Sequence, residues 1–206
     1  MKKAIKYIVW VVVLLLVAFK SVYIKKLSDV KAAKSTSFNA ATYAQNFWKN
    51  KLSQAEAKAV DVDELFAQLK SNPKEAFQKY GHAIAIGSTR FFMVKGKGTV
   101  RQITADEVEL NTTGANNTQL ATTYVFGNAV RDASGLVSIN DFTNTIDLSN
   151  VSGEIDKIIR KQVLPPFRQT VKAEDHLEFT GAIELNEAHL NLADAEIIPV
   201  NLKIIK

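Results

Sequence analysis

The chain has 206 residues, 47% of them hydrophobic and 23% charged, with a net charge of +5 and no cysteine. That is enough chain for a real core, and it excludes a disulfide scaffold, a thiolate metal centre and a thiol nucleophile. Eight of the 26 basic residues but only one of the 21 acids fall in residues 1–34. The positive charge therefore belongs to the N-terminal flank; the slightly acidic remainder lacks the footprint of a nucleic-acid binder.

Residues 7–19 read YIVWVVVLLLVAF, an apolar run too short by itself to cross about 30 Å of hydrocarbon. Extended from Ala4 through Ile24, with Lys20 snorkelling and Trp10 and Tyr23 at the interfaces, it approaches the usual length of a span. The following KSVYIKK has neither a small-x-small cleavage pattern nor an acylable cysteine. The expectation is an uncleaved anchor over residues 1–26 and a linker over 27–37, rather than a removed secretory signal. The lysines beyond the span favour a cytoplasmic body by the positive-inside rule, whereas a basic start before an apolar core is how exported chains begin. The reading adopted is a single pass through a bacterial inner membrane, with the body over 38–206 facing the periplasm or cell exterior.

Within the body, residues 38–81 are predicted helical. Asn39 caps a helix running to about residue 58, with Phe38 and Tyr43 as a hydrophobic staple. Asp61 precedes a second helix over 62–69, and Asn72-Pro73-Lys74-Glu75 opens a third that ends near Gly81. From His82 the pattern changes to short runs of Ile, Val, Phe, Thr and Tyr divided by Gly and Asn. Strands are expected at 82–86, 90–97, 99–104, 107–111, 119–126 and 129–132, and a short one at 136–141. Asp132-Ala133-Ser134-Gly135 and Gly96-Lys97-Gly98 read as hairpin turns, the latter lacking the spacing of a phosphate loop. A helix over 150–163 presents Val151, Ile155, Ile158 and Ile159 on one face and stops at Pro165-Pro166. Strands resume at 177–185 and 197–204. The fold class expected is mainly β with helices (α+β): a first β subdomain over 82–145, a joining helix over 146–164 and a second β part over 165–206, reading as a duplicated small barrel.

The phrases Gly127-Asn128-Ala129-Val130-Arg131-Asp132-Ala133-Ser134-Gly135, Ile139-Asn140-Asp141-Phe142-Thr143-Asn144 and Val163-Leu164-Pro165-Pro166-Phe167 resemble the DUF2291 family of predicted periplasmic lipoproteins. Glu178-Phe179-Thr180-Gly181-Ala182, Leu190-Asn191-Leu192 and Ile198-Pro199-Val200 fit the same pattern. The resemblance implies two OB-like β-barrel subdomains, a position on the outer side of the inner membrane, and frequent genomic company with sugar-type ABC transporters, whose components are then the candidate protein partners. It implies no established activity. The missing acylated cysteine leaves the apolar segment as the expected anchor.

No catalytic signature stands out. His82, His176 and His189 have no metal-ligand spacing, and no nucleophile elbow occurs. No enzyme activity, metal or cofactor is expected. The densest polar constellation is Asn128, Arg131 and Asp132 with Asn140, Asp141 and Thr143, beside Phe126 and Phe142. Such donors and acceptors suit the hydroxyls of a carbohydrate, although Asn and Asp also fill turns and caps for local reasons, and Arg131 has Asp132 and Asp141 as scaffold partners. The function expected is a non-enzymatic accessory or ligand-binding component, with an envelope scaffold for a membrane protein as the alternative.

Overall fold

The computed structural model describes Trp10, residues 38–114 and residues 117–205. The chain divides into Met1–Phe38 and Asn39–Lys206, and the second unit carries everything below. The expected anchor and linker lie, apart from Trp10, outside the described residues, among which no helix is long and apolar enough to cross a membrane.

Short polar side chains start the helices where local chemistry places them. Asn39 Oδ1 accepts from Thr42 N at 2.9 Å ahead of α1 (Ala40–Asn50). The helix breaks at Lys51 and resumes as α2 (Leu52–Ala57). Asp61 caps α3 (Val62–Ser71), and Asn72 with Pro73 in the first turn opens α4 (Pro73–Tyr80). Each cap satisfies amides that would otherwise lack a partner.

The two-residue β1 (Val60–Asp61) pairs in parallel with β2 (Thr89–Ile103). Antiparallel ladders then link β2 to β3 (Glu107–Thr112) and β3 to β4 (Asn117–Ala121). β5 (His176–Asn186) pairs antiparallel with both β2 and β6 (Glu196–Ile205), and β6 meets β4 in parallel. The ring β2-β3-β4-β6-β5 thus closes back on β2. This is one five-stranded barrel of OB type. The expected pair of barrels is corrected accordingly, because strands on both sides of the helical insertion belong to the same ring. Phe92, Val94, Val100, Leu110, Leu120, Leu177, Ile183 and Ile197 fill its core, together with Leu65, Phe66 and Leu69 of α3.

Other expectations change for physical reasons. β2 runs straight through Gly96-Lys97-Gly98 instead of turning there. A Cβ on Gly96 would lie 2.7 Å from the Phe179 ring and 2.9 Å from Val62 Cγ1, so the glycine permits close approach rather than a bend. Residues 129–132 form a helix, α5 (Ala129–Ala133), and Gly135 ends that segment at φ 64°. Residues 136–141 hold a 3₁₀ turn (Ile139–Asp141) instead of a strand. The long helix α6 (Thr145–Ile158) does not stop at the prolines. It passes through a π turn (Ile159–Val163) into α7 (Leu164–Thr170), whose first turn contains both prolines. The wider turn, closed by Leu164 N to Ile159 O, accommodates their rings and missing N–H groups.

Candidate functional site

All five residues of α5 are buried, charged ones included. Arg131, 6% exposed, donates from Nε to Asp132 Oδ1 at 2.6 Å and from Nη2 to Asp132 Oδ2 at 3.0 Å. Its Nη1 reaches across to α6, to Leu148 O at 3.1 Å and Ser152 Oγ at 2.9 Å. Asn128 Nδ2 donates to Asp132 Oδ2 at 2.5 Å. Three of the six predicted site residues thus form one buried lock between the short helix and α6.

The other three do not join it. Asp141 closes a capping box with Ser138, accepting from its backbone N–H at 3.2 Å. Its carboxylate also faces Tyr43, whose hydroxyl is pushed above its ordinary pKa first by burial and then by the charge and hydrogen bond of Asp141. Asn140 lies in the same 3₁₀ turn, its N–H bound to Ser138 Oγ at 3.2 Å. Thr143 Oγ1 reaches Asp147 Oδ2 at 3.4 Å, within the reciprocal cap that Asn144 and Asp147 make at the start of α6. These are local turn and cap interactions rather than walls of the groove that Arg131 lines.

That groove, about 490 Å³, runs between α6 and the segment ahead of α5. Its lining includes Asn128 and Arg131 from the α5 segment, Ser149, Ser152 and Asp156 from α6, and the contacting pair Phe126 and Arg160. Its volume lies within the range of small-molecule sites. Phe126 is 65% exposed, and the Arg160 guanidinium stands 5.2 Å from its ring centroid while also donating to Val125 O.

Asp156 is the group that sequence reasoning missed. Only 4% exposed, it has no hydrogen bond to its carboxylate among the described residues. Burial raises its pKa to about 6, although the charges of Arg160 and Arg131 pull the other way. The signal was present: Ser152, Asp156 and Arg160 recur every four residues beside the apolar stripe of Val151, Ile155 and Ile159, placing an acid at the edge of a buried face.

Fold and groove together define a closed OB-type barrel with a helical insertion that carries a polar cleft. The chain belongs to the family of predicted periplasmic lipoproteins called DUF2291, whose model matches residues 12–203. It is similar to the crystal structure of an OB-fold protein from Thermotoga maritima, with a TM-score of 0.72 and 23% identity, over 82% of this chain and 99% of that one. The comparison with curated proteins finds no match. Membership assigns the protein to the envelope. Its 206 residues nevertheless offer no cysteine for a lipoprotein's acyl chains.

Proposed function

We propose that this is a non-enzymatic envelope protein that binds a small polyhydroxylated ligand of the carbohydrate class in the groove beside α6, as an accessory to a sugar-type ABC uptake system. The supporting observation is the cleft itself: about 490 Å³, with hydroxyl, amide and carboxylate groups on its walls and the exposed Phe126 ring at its edge. An aromatic face with convergent polar groups is the chemistry a sugar ring requires. The uptake link rests on the family resemblance, and an anchor on the inner membrane on the apolar run of residues 7–19.

Thermal denaturation against a panel of monosaccharides tests the reading, because a ligand that binds only the folded state raises its stability with concentration. At least one neutral sugar is expected to raise the midpoint of the wild type and to do so less for Phe126→Ala. No shift with any sugar at high millimolar concentration would refute it.

A second reading, an envelope scaffold docking a membrane protein, draws on Tyr124, Phe126 and Ile146, which are 62%, 65% and 70% exposed. Capture of a permease component from native membranes, abolished by Tyr124→Ser with Ile146→Ser but insensitive to sugar, would favour it.

A further inference from the structure

The groove's charged side chains stand in an unusual balance. Asp132 takes both arms of Arg131, so that cation is already compensated, and Arg160 spends one donor on Val125 O and one face on Phe126. Asp156 has neither a hydrogen bond nor an ion pair within 4 Å among the described residues, despite its near-complete burial. A largely buried carboxylate with no protein donor is costly to keep charged, and the side of Asp156 that stays open is the one that lines the groove.

We propose that Asp156 anchors the ligand and selects neutral polyols: two hydroxyls of one sugar ring donate to its carboxylate, amines are disfavoured by Arg160, and acidic sugars by Asp156 itself. This rests on the ligand-binding reading above and names its specificity. The argument is one of matching charges. A cationic ligand would gain Asp156 but meet the Arg160 guanidinium on the same groove; an anionic one would gain the unused donors of Arg160 but approach the Asp156 carboxylate. Neutral hydroxyls satisfy Asp156 at no such cost, and a carboxylate can accept two of them at once.

Among the described residues, the charged groups that share the groove with Asp156 are Arg131 from α5, with Asp132 bound to it, and Arg160 from the π turn. Protonation of Asp156 exchanges an acceptor for a donor. Neutral-sugar affinity is therefore expected to fall between pH 7.5 and pH 5, following the group whose pKa burial has raised to about 6.

Isothermal titration with matched neutral, amino and acid forms of one hexose tests the inference: glucose, glucosamine and glucuronate, then the galactose set. The wild type is expected to bind the neutral form best in each set. Asp156→Asn is expected to lose roughly tenfold to a hundredfold in that affinity, while denaturation shows it folded. Arg160→Gln is expected to narrow the gap between neutral and amino forms. Preference for an amino or acid form, or unchanged affinity in Asp156→Asn, overturns the inference and leaves the ligand-binding reading in place. Failure of all six sugars removes both.

Discussion

Arg131 and Asp132 are consecutive in the chain and still form a two-pronged ion pair, while Nη1 of the same guanidinium reaches α6 at Leu148 O and Ser152 Oγ. Both members of the pair are almost wholly buried. Breaking such a pair from one side strands the other charge in a medium that solvates it poorly. Arg131→Met is expected to cost about 3–5 kcal/mol, read as a drop in the urea midpoint. Arg131→Met with Asp132→Leu should recover much of that loss; equal damage in single and double variants would refute this account.

Asp156 predicts the reverse behaviour. Its folded-state pKa is raised from 3.8 to about 6 by burial. Between those values the folded protein holds a proton that the unfolded chain has released, so stability falls as pH rises through the window. The penalty is absent below the lower value and complete above the upper one. Asp156→Asn is expected to be more stable than the wild type at pH 7.5 and almost unchanged at pH 4. Chemical denaturation at the two pH values decides it. A variant that is more stable yet binds worse would mark Asp156 as a residue kept for function at the expense of stability.

Asp63, in the first turn of α3, ties that helix to the far end of β3. Its carboxylate accepts from Thr112 Oγ1 at 2.5 Å, Thr113 Oγ1 at 3.1 Å and Gly114 N at 2.7 Å. Asp63→Ala is expected to cost about 1–3 kcal/mol and to speed hydrogen exchange at the Gly114 amide. Unchanged protection there would show that the turn holds itself.

Gly181 lies beside the irregularity in the β5–β6 ladder. A Cβ at that position would come within 2.5 Å of Ile197 Cγ2 and 2.6 Å of Ile198 O. Backbone cannot yield as a flexible side chain can, so Gly181→Ala is expected to cost about 1–3 kcal/mol or more. A thermal midpoint equal to the wild type would rule out the clash.

Much of the local structure was legible in the sequence because its causes are local. Asn39, Asp61 and Asn72 each cap a helix within three residues of themselves, and the alternation in β3 follows its buried face. The single barrel was not legible. Pairings such as Thr89 with Asn186 and Thr99 with His176 join segments far apart in sequence, and no residue pattern announces them. The Ala129–Ala133 segment is too short to display a helical period, so tertiary burial decides its conformation. At the site, the density of polar groups drew notice to Asn128, Arg131 and Asp132, yet their partners turn out to be one another. Asn140, Asp141 and Thr143 carry the same residue types for the sake of a turn and a cap. Asp156 escaped because it is one of three acids on a mixed helix, and in the sequence it looks as solvated as Asp147 and Glu154.

β2 is held on one side by β3 and on the other by β5, with the whole helical insertion intervening in sequence before β5 is reached. During synthesis or passage through a secretion channel, that long strand must wait half-paired, offering a row of unpaired N–H and C=O groups to any neighbouring strand. The molecule therefore cannot be divided into two halves that mature separately, and a version cut short before β5 should be a substrate for chaperones and proteases rather than a smaller working domain.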